Sequence, residues 1–333
     1  MSEKTTVAQV VQIGVEVNAS GVSVPGTAVT ATKRFASLSI EPKMEADIKS
    51  FRPAGRKFTT MTQLNKEWST AKLEGIPTYE EIIYVLSSCF DKATITTPSG
   101  GTLSRLWSFA MDPDSPDAPV TFTVEKGDSA GGVRFAYSMI SGMALSVSRS
   151  EVGLSGDMLM GIAETHALSN ASGVTALTQT PLAATGFNIY LDTLYSNIGT
   201  TKLTRGFKLD VEIGDRFKGV WPIDSAYGSF AAHVEGEPKA SVSLTVSADS
   251  VADAFLAQLR DGSTKYMRLE CTGPVIEAAL RYKFTLDMAL KVSAVQDFSD
   301  EDGIYAQGFE LALVDDASLR VLACSVQNKA TAL

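Results

Sequence analysis

The residues best suited to chemistry in this chain are few: His166 and His233, and the cysteines Cys89, Cys271 and Cys324. A structural zinc site wants four such ligands, built from close pairs in the sequence, and no close pair is present. Three isolated thiols do not make a disulfide framework either. Cys89 falls on the apolar side of a predicted helix, while Cys271 in "MRLECTG" and Cys324 in "RVLACSV" fall in strand-like runs, so reduced, structural thiols are expected. Two acidic runs invite a calcium reading. "FSDEDG", 298–303, lacks the twelve-position ligand progression of an EF-hand and sits between two strand-like runs, which predicts a charged hairpin tip. "MDPDSPDAP", 111–119, carries three carboxylates, but its prolines predict an irregular exposed loop. No Gly-x-Ser-x-Gly elbow selects a nucleophile, and no glycine loop precedes a helix to cradle phosphate. The expectation is a protein that is not an enzyme, with no metal and no cofactor.

One cationic stretch remains, "KSFRPAGRKF", which spaces Lys49, Arg52, Arg56 and Lys57 around Pro53-Ala54-Gly55. Lys and Arg number 29 against 38 Asp and Glu, leaving a net charge of -9. A surface of that sign repels nucleic acid, so the patch suits an acidic neighbouring subunit better than DNA wrapping; its plainer reading is a solvated loop. The first twenty residues lack a basic region followed by an apolar one, and no run of eighteen apolar residues occurs. A product without export signal, anchor or membrane insertion is expected.

The elements that would have to position such residues are written twice. "GMALSVS", 142–148, recurs as "DMALKVS", 287–293, each inside a long strand-like run. "KRFASLSIEP", 33–42, is matched by "RGFKLDVEIG", 205–214, with Phe35 and Phe207 in corresponding places. Two helices follow in order, at 78–90 and 250–260. Thr78 with Glu81, and Ser250 with Asp253, stand at cap-like spacing. Ile82, Val85, Leu86 and Cys89 form one apolar stripe, and Val251, Phe255, Leu256 and Leu259 the other, so each helix should cover a sheet. With 333 residues, two units fit: 1–170 with an N-terminal arm, a connection at 171–186, and 187–333. Each reads as an antiparallel sheet, a covering helix and returning strands, mainly β with some α.

The run "IGVEVNASGVSVPGTAVTATKRFASLSIEP", followed by "FRPAGRKFTTMTQLNKEWSTAKLEGIPTYEEIIYVLSSCF", resembles tail tube proteins of long, non-contractile-tailed bacteriophages. The opening Gly-Val-Glu strand, the Gly-Thr-Ala-Val approach to Lys33 and the Leu-Glu-Gly-x-Pro approach to the helix carry the resemblance. It covers most of the first half, and the duplicated plan extends it to the second. It implies two tandem β-sandwich or barrel-like tube domains, each with a helix on its outside. It also implies sixfold rings stacked into a virion tail, assembled in the host cytoplasm, that encloses a tape-measure protein and later conducts DNA. Tail-completion and baseplate proteins would be further partners. Two domains per chain favour a homotrimer with pseudo-sixfold symmetry over a hexamer of whole chains. Asp210, Glu212 and Asp287 are then candidates for a polar lumen face. Lys49, Arg52, Arg56, Lys57, Met143 and Met288 are candidates for contacts between subunits or rings, with a core role for the methionines as the alternative. Two other readings use the same elements: a tail-completion or baseplate hub that closes one ring, and a non-viral β protein with a concave ligand site.

Overall fold

The computed structural model describes residues 9–128, 130–169, 174–224, 226–316 and 321–333, with 250 and 251 described by backbone alone. The first eight residues of the expected arm, the start of the 171–186 connection, and the Ser250 and Val251 side chains lie outside the described residues. In chain order the first half holds β1 (Val10–Val15), β2 (Lys33–Phe35), β3 (Leu38–Phe51), β4 (Met61–Gly75), α1 (Ile82–Cys89), β5 (Thr94–Thr96), β6 (Arg105–Ala110), β7 (Phe122–Asp128), β8 (Gly131–Ser148), β9 (Val152–Met160) and β10 (Ala163–His166). The second holds β11 (Phe187–Asp192), β12 (Lys202–Leu203), β13 (Gly206–Gly214), β14 (Phe217–Val220), β15 (Ala232–Glu235), β16 (Lys239–Ser247), α2 (Ser250–Asp261), β17 (Lys265–Glu277), β18 (Leu280–Glu301), β19 (Ile304–Leu313) and β20 (Leu322–Asn328).

The two halves repeat one another in eight strands each, while among the described residues β5 and β6 in the first and β14 and β15 in the second have no counterpart. Neighbours run β1-β7-β8-β9-β4-β3 in the first and β11-β17-β18-β19-β16-β13 in the second, every pair antiparallel. The side strands match as well: β2 on β1 and β12 on β11, then β10 on β8 and β20 on β18. The repeated heptapeptides lie on corresponding strands but in different ladders. Met143 pairs with Gly156 of β9 and Ile213 of β13, whereas Met288 pairs with Met267 of β17 and Leu322 of β20. Both strands are irregular, β8 at positive-φ Tyr137 and between Ile140 and Gly142, and β18 between Val292 and Ala294 and between Val295 and Phe298.

The protein is mainly β with two helices, but its sheets are neither closed into barrels nor strongly curled, which overturns the tandem sandwich or barrel-like architecture. Among the described residues eighteen strands share one hydrogen-bonded network, and only β14 and β15 form a sheet of their own. The reason is edge pairing between the halves. β13 lies on β8, and β20 lies on β6, so neither half closes on itself. One apolar cluster accordingly runs through both halves, from Val11 to Val326.

The helices also differ from expectation. All eight residues of α1 are buried, because Ile82 to Leu86 offers no polar face to water; this is a core helix, not a cover. Thr78 Oγ1 accepts the Glu81 N–H at 3.1 Å, as a cap should. The Glu81 carboxylate does not reach back to Thr78, though. It accepts the N–H groups of Ala36, Ser37 and Leu38 at 2.7, 3.1 and 3.1 Å, together with the Ser37 hydroxyl. Gly75 makes this approach possible: a Cβ there would stand 2.1 Å from the Ser37 carbonyl oxygen. On α2, Ala252, Phe255 and Gln258 are buried, and Leu259 is exposed. Phe255 stacks on Phe309 with ring centroids 4.6 Å apart.

Candidate assembly surfaces

The best-built contact between the halves is the β8–β13 ladder, Met143–Ser148 against Lys208–Ile213. Alternation sends Leu145, Val147, Leu209, Val211 and Ile213 into the core and leaves Asp210 and Glu212 on the opposite face. Asp210 accepts the Ser146 hydroxyl at 2.5 Å across the joint and pairs with Lys208 at 2.8 Å, so part of its charge is spent locally. Glu212 is exposed. Asp287 also points away from the core, but it is held by a bidentate pair with Arg268, 2.7 Å at each oxygen. Met143 and Met288 are buried, the first in the joint itself.

Each outer member of this network keeps one unpaired side. The far edge of β18 beyond Leu290 has no partner strand among the described residues, because β17 ends at Lys265. Among the described residues β3 pairs only with β4, and its outer edge is partly closed. The Leu38 N–H goes to Glu81, the Ile40 carbonyl accepts Lys126 Nζ at 2.9 Å, and Pro42 has no N–H to offer. Met44 to Phe51 is the stretch left open.

That stretch belongs to an arm. β9 pairs with β4 only as far as Ser69, so among the described residues β3 and β4 pair only with each other from Met44 to the turn, about 24 Å of strand, with Trp68 and Lys66 at its base against Trp221. The core face of β3 carries on into water here: Ile40 is 0% exposed, but Met44, Ile48 and Leu64 are 59%, 58% and 54% exposed. At the tip Gly55, at φ 78°, makes the turn after Pro53, and Lys49, Arg52, Arg56 and Lys57 are all exposed beside Phe51, Phe58 and Met61. The "FSDEDG" segment is a hairpin tip as expected, β18 to β19, with Asp302 and Gly303 both at positive φ as a type I′ turn requires.

Two charge clusters were not legible in the sequence. Arg216 is fully buried; it pairs with Asp117 through Nη2 and with Glu235 through Nη1 at 2.6 Å, and donates Nε to the Cys89 carbonyl at 2.9 Å. The 111–119 loop, expected to be exposed, therefore has a buried carboxylate, and burial pushes the Asp117 carboxyl up while the Asp112 N–H and Arg216 pull it back. The second cluster ties the 100–104 turn to β17. Glu277 accepts the N–H groups of Thr102, Leu103 and Ser104 at 2.9, 2.8 and 2.7 Å and the Thr102 hydroxyl at 2.8 Å. Desolvation works against ionisation, but these donors prevail and hold the carboxyl down at about 2. A depressed folded value stabilises the ionised contact above the ordinary 4.5 and loses that contribution as pH falls through about 2. The amide protection factors of residues 102–104, measured against the intrinsic exchange rate at each pH, are expected to hold down to pH 4.5 and to fall between there and pH 2; protection that is flat across this window would contradict the tie.

The remaining chemistry-bearing groups are scattered. Cys89, Cys271 and Cys324 are free and buried, and burial pushes the Cys89 thiol up to about 12 and Cys271 to about 11. His233 packs on Tyr137 and Phe217, and His166 stands 3.5 Å from Glu125. Among the described residues no group of His, Cys, Asp and Glu has the geometry to hold a metal, and no helix is long and apolar enough to cross a membrane. A mostly apolar cleft of about 370 Å³ lies against Trp107, Val120 and Leu333. No protein-family model matches this chain, and no curated protein matches it.

Proposed function

We propose that this chain is a structural virion protein, the building block of the stacked rings of a long, non-contractile bacteriophage tail tube. In this role it encloses the tape-measure protein and conducts the genome without binding it. One observation carries the reading: two halves with the same order of main strands are joined edge to edge through β8 and β13, and among the described residues unpaired edges remain on β3 and β18. A monomer gains nothing from such edges, which invite aggregation unless a neighbour covers them. Three chains of two units each would give a pseudo-sixfold ring, so closure is a property of the assembly rather than of one chain. The net charge of -9 suits a conduit that must release DNA, because phosphate contacts would slow it.

The first test is cryo-electron microscopy of the concentrated protein. Hollow rings of three chains support the reading; uniformly monomeric particles under assembly-supporting conditions sink it and favour the discrete ligand-binding protein. A substitution sharpens the test. Leu38 and Ile40 aim their backbone groups away from β4, so by alternation Ala46 does too. Ala46→Pro removes an outward N–H while sparing the β3–β4 ladder. It is expected to leave the melting temperature of the monomer within a few degrees and to abolish ring formation, read by native mass spectrometry.

A further inference from the structure

The two long hairpins are complementary in charge, and both expose apolar side chains. The β3–β4 arm presents Lys49, Arg52, Arg56 and Lys57 with Phe51, Phe58 and Met61. The β18–β19 hairpin presents Asp297, Asp300, Glu301 and Asp302 with Phe298, Ile304 and Tyr305. Among the described residues none of these charges has an ion-pair partner within the chain, whereas Lys72, Lys126, Lys239 and Lys283 elsewhere are paired. Their placement is set by topology. Along β3-β4-β9-β8-β13-β16-β19-β18 every step is antiparallel, so β3 and β18 run in opposite senses, and their turns leave the sheet past opposite ends of its strands.

We propose that the basic β3–β4 arm of one copy docks on the acidic β18–β19 hairpin of a second copy. This deepens the stacked-ring reading, on which it rests for its place in the assembly, by naming the hairpins that meet between successive rings. A contact between two different surfaces closes a ring only if its rotation closes; because arm and hairpin leave past opposite ends of the strands, this one leaves a free arm at one end and a free hairpin at the other and propagates. The alternatives, arm on arm or hairpin on hairpin, would set four like charges against four, and that repulsion selects against them. The exposed aromatic rings beside the charges supply the apolar centre that a polar rim surrounds in a stable contact.

Charge reversal tests the pairing on the full chain. Arg56→Glu with Lys57→Glu makes the arm acidic; Asp297→Lys with Glu301→Lys makes the hairpin basic; all four positions lie at the surface. Sedimentation velocity reads stacking, and native mass spectrometry reads the ring. Each variant alone is expected to need roughly a hundredfold higher concentration to stack. An equimolar mixture of the two should stack like the wild type, because each then meets an opposite charge. Salt of about 1 M, with a Debye length near 3 Å, should weaken wild-type stacking. Carbodiimide cross-linking of the unaltered chain gives a reading that no folding defect disturbs: Lys49 or Lys57 of one copy joined to Asp297, Asp300 or Glu301 of another. Rings of three whose stacking ignores both reversals, and whose cross-links avoid these residues, overturn the pairing and leave the ring reading in place. Chains linked between Lys57 and Glu301 that never close a ring uphold the pairing and overturn the ring. A wild-type chain that stays monomeric, or an arm that binds DNA in place of the hairpin, overturns the proposal.

Discussion

Replacing Arg216 with alanine is expected to lower stability by about 3–5 kcal/mol, the cost of breaking a buried ion pair from one side. The guanidinium is completely enclosed and bridges three parts of the chain: Asp117 in the loop before β7, Glu235 at the end of β15, and the Cys89 carbonyl at the end of α1. Truncation leaves Asp117 buried with the Asp112 N–H, at 3.1 Å, as its remaining local donor. Glu235 would still accept the Asp117 N–H at 2.7 Å, but its charge would face a carboxylate with no cation between them. The free energy follows from desolvation more than from attraction, and that makes a second outcome informative. Arg216→Met combined with Asp117→Leu removes the two fully buried charges, leaves only the partly exposed Glu235 carboxylate, and should recover most of the loss. Urea denaturation of the two variants decides it. A single substitution costing less than about 1 kcal/mol would mean that water already reaches the cluster.

The duplication was legible because strands announce themselves by alternation. Leu209, Val211 and Ile213 in β13, and Val242, Leu244 and Val246 in β16, form an unbroken period of two with one buried face. What alternation does not encode is which edge meets which. Whether β13 pairs within its own half or with β8 depends on contacts across the chain, and that choice decided against closed domains. The helix at 82–89 was legible as a helix, yet its burial on every side was not, since the expected stripe of Ile82, Val85, Leu86 and Cys89 is only part of what it buries. Asp117 read only as one carboxylate of an exposed loop and nothing local marked Arg216, because their meaning lies in a contact 99 residues apart. The 298–303 tip fared better, because turn chemistry is local and Asp302-Gly303 stands at positive φ. The stretch around Pro53-Ala54-Gly55, expected as a loop, is instead the turn of the β3–β4 hairpin, with Gly55 at positive φ.

Trp107→Ala is expected to cost about 3–5 kcal/mol and to act most strongly on the last strand. Trp107 is 1% exposed, and its Nε1 donates to Asn328 Oδ1 and to the Ala330 carbonyl, each at 3.1 Å. Asn328 in turn donates Nδ2 to the Tyr79 carbonyl at 2.7 Å, so one ring fastens the end of β20 to the approach to α1. The indole thus combines a packing role with a donor role, and Trp107→Phe separates them. Keeping an aromatic ring while leaving the Asn328 and Ala330 oxygens without that donor should cost about 1–3 kcal/mol. The contact spans 221 residues, and a pairing of that separation closes a long loop before it gains anything in return. The β6–β20 ladder should therefore form late, and Trp107→Ala should speed unfolding more than it slows folding. Stopped-flow kinetics checks the split, and amide exchange locates it. Exchange should rise along β20 while β13 and β16 keep their protection; an even rise through the whole sheet would place Trp107 in the early core instead.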